Sequence, residues 1–167
     1  NWKAFCSLQV THHSRNIWFR FLHKTINTRF YIHQKWPQLI THPQCIHCPY
    51  FRRNTIDTLD HFNFLCPTKY KVWCHILSTF VDPSLTTSSV QLLRQLLNLR
   101  TTINRTHKSV FPTLSTQQIC ASTLEGLWTS HWRSTFDSTP FTFPIVLAIV
   151  KRLLTKQSYE QELTNFD

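Results

Sequence analysis

The residues best equipped for chemistry lie in one run, CIHCPYFRRNTIDTLDHFNFLC, from Cys45 to Cys66. Cys45 and Cys48 stand three apart, and His61 and Cys66 follow, giving a C-x2-C-x12-H-x4-C spacing. Three thiolates and one imidazole fill the four positions of a tetrahedral zinc site. A C-x-x-C pair grips one ion from a tight turn, and an H-x4-C pair grips it from a helix end and the residues just past it. Such a zinc is expected to be structural, because no position is left for water. His42 and His47 flank or divide the cysteine pair and are alternatives to His61, although neither has the paired spacing to Cys66. Two other readings compete: cysteines as small buried apolar residues, and a redox C-x-x-C, which needs a βαβ context that nothing nearby supplies. Cys6, Cys74 and Cys120 are scattered and are expected to be buried or partly buried thiols.

Other chemistries find little support. No adjacent aspartates offer a two-metal site. The single glycine, Gly126, rules out a glycine-rich phosphate loop. No serine, histidine and acid suggest a triad. The chain is therefore expected not to be an enzyme.

The elements that must carry the ligands read as helices. One glycine argues against a hairpin-rich β fold, since tight hairpins favour glycine at positive φ. The expected class is all-α. Ser14 is placed as the N-cap of a helix with Ile17, Trp18, Phe21, Leu22 and Thr25 on one stripe. Asn27 or Thr28 caps a short helix that Pro37 ends. Thr58 caps the helix presenting His61, with Leu59, Phe62 and Leu65 inward. Thr68 caps the next, whose stripe is Val72, Trp73, Ile76, Leu77 and Phe80. Lys69 and Lys71 oppose the dipole of its first turn, which hints at a nearby anion. Residues 83–89 read as a Ser/Thr-rich linker between a zinc-binding module, 1–82, and a helical C-terminal region, 90–167. In the latter, Val90, Leu93, Leu96 and Leu97 form a short stripe, and Ser115 with Gln118 makes a capping box. That box opens a long helix carrying Ile119, Leu124, Trp128, His131 and Trp132, with His131 read as a core histidine. Pro144 opens the last helix.

The chain has 167 residues, no methionine and a net charge of +10. The missing methionine and the start at Asn1 lead to the expectation of a fragment or a processed piece. No apolar run approaches the roughly 20 residues of a membrane span. Six cysteines would permit three disulfides, but the metal spacing of Cys45, Cys48 and Cys66 favours a reducing compartment inside the cell. Residues 1–81 hold ten of the 18 Lys and Arg but only two of the eight acids, Asp57 and Asp60. A basic excess beside a zinc loop suggests a polyanionic partner, most simply nucleic acid. The competing reading is a basic, soluble surface without a partner. The expected contacts are Arg52 and Arg53 at the tip of the zinc loop with Lys69 and Lys71 at the following helix start, where free backbone N–H groups favour phosphate.

The run WFRFLHKTINTRFYIHQKW, the C-x2-C, the H-x4-C-P and the closing Trp73, spanning residues 18–73, resemble the zinc-binding region that follows the polymerase domain of non-LTR retrotransposon reverse transcriptases. The stretch LEGLWTSHWRSTFDSTPF, residues 124–141, is similar to the tail of such proteins in some fungal elements. The resemblance implies zinc on Cys45, Cys48, His61 and Cys66. It also implies a non-catalytic accessory role in holding template RNA or target DNA, an upstream polymerase domain in the same polyprotein, and a nuclear location. The 12-residue spacer between Cys48 and His61 is longer than the family's usual one. A second function class is a zinc-stapled protein-interaction module that docks onto the polymerase domain or another protein.

Overall fold

The computed structural model describes residues 2–48, 54–87, 89–103 and 110–164. Among the described residues there are seven α-helices: α1 (Trp2–Cys6), α2 (His12–Leu22), α3 (Arg29–Lys35), α4 (Pro67–Phe80), α5 (Val90–Leu97), α6 (Thr116–Phe136) and α7 (Phe143–Thr164). A π-helical turn, His61–Leu65, and a 3-10 turn, Pro83–Thr87, flank α4. Among the described residues there is no strand, only one antiparallel bridge between Gln44 and Ile56. The expected all-α class holds.

Helix α6 is the hub. Its buried residues run almost all round it, from Thr116 to Trp132, the mark of a helix enclosed by others rather than lying on a surface. It packs against α7, α2, α4 and α5. At Gly126 the approach is close enough that an added Cβ would lie 2.5 Å from Val150 Cγ2 of α7. The capping box that opens α6 is formed, with Ser115 Oγ accepting from the Gln118 backbone and the Gln118 side chain accepting from the Ser115 backbone. On the other side, α4 buries Val72, Trp73, Ile76, Leu77 and Phe80.

One apolar core runs from Phe5 through Trp73 and Leu93 to Leu154. Residues on both sides of the expected 83–89 boundary share it, so the packing does not divide into a zinc module and a separate C-terminal region. Residues 83–87 of the supposed linker form the 3-10 turn, Leu85 of which packs on the core, and the turn lies against α4. Trp18 adds a polar tie between the halves, its indole N–H donating to the Leu97 carbonyl over 2.7 Å.

Helix ends explain the remaining departures. Thr11, not Ser14, caps α2, its hydroxyl accepting from the Ser14 backbone. Ser14 instead lies buried in the first turn and donates to the Glu125 carboxylate of α6. Thr28 caps α3. Three non-glycine residues just past helix ends, Lys24, Leu99 and Ser138, take φ of 56°, 56° and 55°. With one glycine in the chain, left-handed termination falls to ordinary residues. Arg15 donates to the carbonyls of Phe5, Cys6 and Leu8, so its charge closes the end of α1 and is spent inside the fold. Among the described residues, no helix is long and apolar enough to cross a membrane.

Candidate metal centre

The first ligand pair comes from a pinched loop. Cys45 N–H donates to the Thr55 carbonyl and Asp57 N–H to the Pro43 carbonyl, each over 2.9 Å. These two bonds bracket the Gln44–Ile56 bridge and close the neck of the loop. Thr68 Oγ1 donates to the His47 carbonyl over 2.7 Å and pins the C-x-x-C turn to the start of α4.

The second pair comes from the π turn. Residues five apart lie about 140° apart round an α-helix of 3.6 residues per turn. In a π turn the bond runs from residue i to i+5, and Cys66 N–H does donate to the His61 carbonyl over 2.9 Å. The wider turn stacks His61 and Cys66 on one side, as an H-x4-C pair requires. Thr58 starts the turn as expected, its hydroxyl accepting the His61 N–H over 3.2 Å. The extra residue in the turn rotates the side chains after it: Phe64 points inward, and Leu65, expected to be buried, is exposed. Helix α4 then begins at Pro67, with Cys66 rather than Thr68 in the cap position.

The four side chains converge. Ligand atoms of Cys45, Cys48, His61 and Cys66 all lie within 4.8 Å of one another, and all four residues are buried. Cys45 Sγ to Cys66 Sγ is 3.9 Å, Cys48 Sγ to Cys66 Sγ is 4.0 Å, and Cys48 Sγ to His61 Nε2 is 3.2 Å. A tetrahedron built on metal–sulfur bonds of about 2.3 Å and metal–nitrogen bonds of about 2.0–2.1 Å has edges of roughly 3.8 Å and 3.6 Å. The three sulfurs are free thiols, and their separations match a shared ion. The cluster could therefore hold a metal ion. His47, the first alternative ligand, instead stacks on Phe141 and sets its edge against His131. His42, the second, is exposed and outside the cluster. The isolated thiols also behave differently from one another. Cys6 is exposed, Cys74 half-buried and Cys120 fully buried, and burial pushes the Cys120 thiol up to about 12.

Behind the ligands sits a polar layer that sequence reading overlooked. Asp57 is fully buried. Its Oδ2 accepts the Arg29 backbone N–H over 3.1 Å and faces His131 Nε2 at 3.8 Å, while Oδ1 faces Lys69 Nζ at 3.9 Å. Arg29 Nε donates to the Gln44 carbonyl and its NH2 group to the His42 carbonyl, bracing the loop neck from outside. Lys69 Nζ lies 3.6 Å above the Phe62 ring centroid. Burial, then the Lys69, His47 and Arg29 charges, push His131 well below its ordinary value. Burial first, then Lys69 and Arg29, bring His47 down to about 3. Both rings are neutral at neutral pH, and His131 is a core residue of α6, as expected. Hydrogen bonding with Cys66, then burial, raises the Cys45 thiol, while the same bond lowers that of Cys66. The signal for this layer was present but faint. Asp57 is one of only two acids in residues 1–81, and Lys69 opposes the dipole of α4.

Of the nucleic-acid contacts expected from sequence, Lys69 and Lys71 do not share a face. Arg52 and Arg53 lie outside the described residues. Lys71 is exposed, with Nζ 5.2 Å from the Phe143 ring centroid. Lys69 is 1 % exposed and turned inward. The anion it answers is Asp57, so it is withdrawn as a surface contact. Comparisons with family models, curated proteins and solved structures found nothing that matches this chain.

Proposed function

We propose that the chain is a zinc-stapled, non-catalytic module that binds nucleic acid. In this reading it serves a non-LTR retrotransposon reverse transcriptase in the nucleus by helping to hold template RNA or target DNA beside the polymerase domain. The observation that carries the reading is the convergence of the ligand atoms of Cys45, Cys48, His61 and Cys66 to within 4.8 Å of one another in a buried cluster. Three thiolates and an imidazole are a zinc-like donor set, and four protein ligands leave no place for substrate. The bound ion would supply a cross-link between the pinched loop and the π turn. The charge of +10 supplies the attraction to phosphate.

With Lys69 buried, the cationic surface shifts toward α4 and α7. Lys71, Lys151 and Arg152 are exposed there. His75 sets its ring edge-on to Phe143, the same ring that Lys71 covers, and is lowered by burial and by the Lys151 charge. Lys71 and His75 thus meet at the Phe143 ring, the Lys151 charge reaches His75, and Arg152 follows Lys151 in α7. Titration with single-stranded RNA at several salt concentrations tests the reading, since each phosphate contact adds about 0.7 to the slope of log affinity against log salt. Lys71→Gln, Lys151→Gln and Arg152→Gln combined should flatten the slope with the metal retained. Arg52→Gln with Arg53→Gln examines the loop tip in the same way. No binding, or an unchanged slope in both sets, contradicts the proposal.

A second reading, docking onto a protein, is favoured by exposed apolar residues around a small cluster of Ile32, Ile40 and Trp132. Trp36, Leu39 and Phe136 are each about half exposed, and Phe136 stacks on Trp132. Absence of RNA binding by the parent chain, with binding to a purified polymerase domain that Trp36→Ala with Phe136→Ala abolishes, would favour it.

A further inference from the structure

Lys69 is among the largest fully buried side chains, yet its Nζ has no hydrogen-bond partner among the described residues. A buried ammonium is costly unless something compensates it. Asp57 stands 3.9 Å away, beyond a good hydrogen bond, and its other oxygen already takes the Arg29 backbone N–H. Arg29 is buried as well. Behind the ligands there are thus two buried cations and one carboxylate, an excess of one positive charge.

A divalent ion held by three thiolates and a neutral imidazole carries a net charge of minus one. Set beside Lys69, Arg29 and Asp57, it makes the whole buried group neutral. Three protonated thiols without an ion leave the positive charge uncompensated. Lys69 follows Cys66 by three residues in the first turn of α4, and its stem and ammonium lie on Phe62, the residue after His61. It is therefore held beside the second ligand pair.

Resting on the reading that the cluster binds a metal, we propose that Lys69 is the buried countercharge of the site. It is a positioning residue that stabilises the singly negative, three-thiolate form, with Asp57 as the tether that aims its ammonium. Lys69 would then set how tightly the ion is held, a property that neither the ligand set nor the surface charge determines.

Cobalt(II) and zinc(II) titrations of the full chain, in competition with a chromophoric chelator, test this. Lys69→Met keeps the stem over Phe62 and removes the charge. Its affinity for either ion should fall about 10–100-fold, the range usual for partners just behind metal ligands. Its thiolate-to-cobalt charge-transfer band should move, because a charge beside the sulfurs has gone. Asp57→Asn keeps the ammonium and should lose less than Lys69→Met. The variant carrying both substitutions separates the roles. It leaves no orphaned carboxylate, so an affinity still at least tenfold down supports the countercharge. Recovery to within threefold of the parent chain would make Lys69 merely the partner of Asp57 and overturn the proposal. Should Lys69→Met alone fail to fold, the double variant decides by the same criterion. A parent chain that binds neither ion overturns the metal reading itself, whatever the variants do.

Discussion

Cys48 Sγ stands 3.2 Å from His61 Nε2 and 4.0 Å from Cys66 Sγ, so one substitution removes a vertex that touches both partners on the other arm. Binding free energies of structural zinc in small peptides are about 10–16 kcal/mol at neutral pH. Whole domains are stable by only about 5–15 kcal/mol. Cys48→Ser or His61→Ala is therefore expected to abolish tight metal binding and lower the melting temperature sharply. Circular dichroism with and without a chelator checks this. Variants that keep the parent melting temperature, or a parent chain indifferent to chelation, would deny the site a structural role. The ligand types were legible in the sequence because metal chemistry depends on residue identity and spacing, both of which are printed there. The inward turn of Lys69 was not. Its direction is decided by Asp57, 12 positions earlier, and that proximity exists only once the loop neck at Gln44 and Ile56 has closed.

At the scale of elements, apolar periodicity located α2, α4, α5 and α6, whose expected stripes are mostly buried, although Thr25 falls past the end of α2 and is exposed. It failed where the helical period changes. The π turn widens one turn by a residue, which swaps Leu65 for Phe64 at the core. Periodicity of 3.6 cannot anticipate that, although the H-x4-C spacing of ligands is what a π turn brings together. The helix ends offer a direct check on local strain. Lys24 holds a φ of 56° after α2 while its neighbours make the terminating bonds Lys24 N–H to Phe21 carbonyl and Thr25 N–H to Arg20 carbonyl. An L-residue in this region costs roughly 1–2 kcal/mol, which glycine avoids at some cost in unfolded-state entropy. Lys24→Gly is expected to raise stability by about 0.5–1 kcal/mol in denaturant titration, and a loss of stability would mean that the left-handed cap is wrong.

At the scale of the molecule, the described residues form one main core, a small satellite of Ile32, Ile40 and Trp132, and a polar, thiol-lined annex. The sequence suggested two regions because a proline and a run of serines and threonines interrupt the apolar pattern after Phe80. Composition marks a break in periodicity, not in packing, and Leu85 of that segment packs on the core. The annex joins the core through Phe62 and Phe64, which follow His61, and through His131 of the central helix, which faces Asp57. An ion at the cluster would thus brace the hub helix as well as its own loop, and the proposed function depends on that ion. Metal analysis of the purified chain, by mass spectrometry under native conditions and by elemental analysis, is the most direct test. One zinc per chain is expected, with metal–sulfur distances of about 2.3 Å by X-ray absorption. A chain that purifies without metal, fails to take up zinc when reduced, and joins Cys45 to Cys48 in a disulfide would contradict the metal centre.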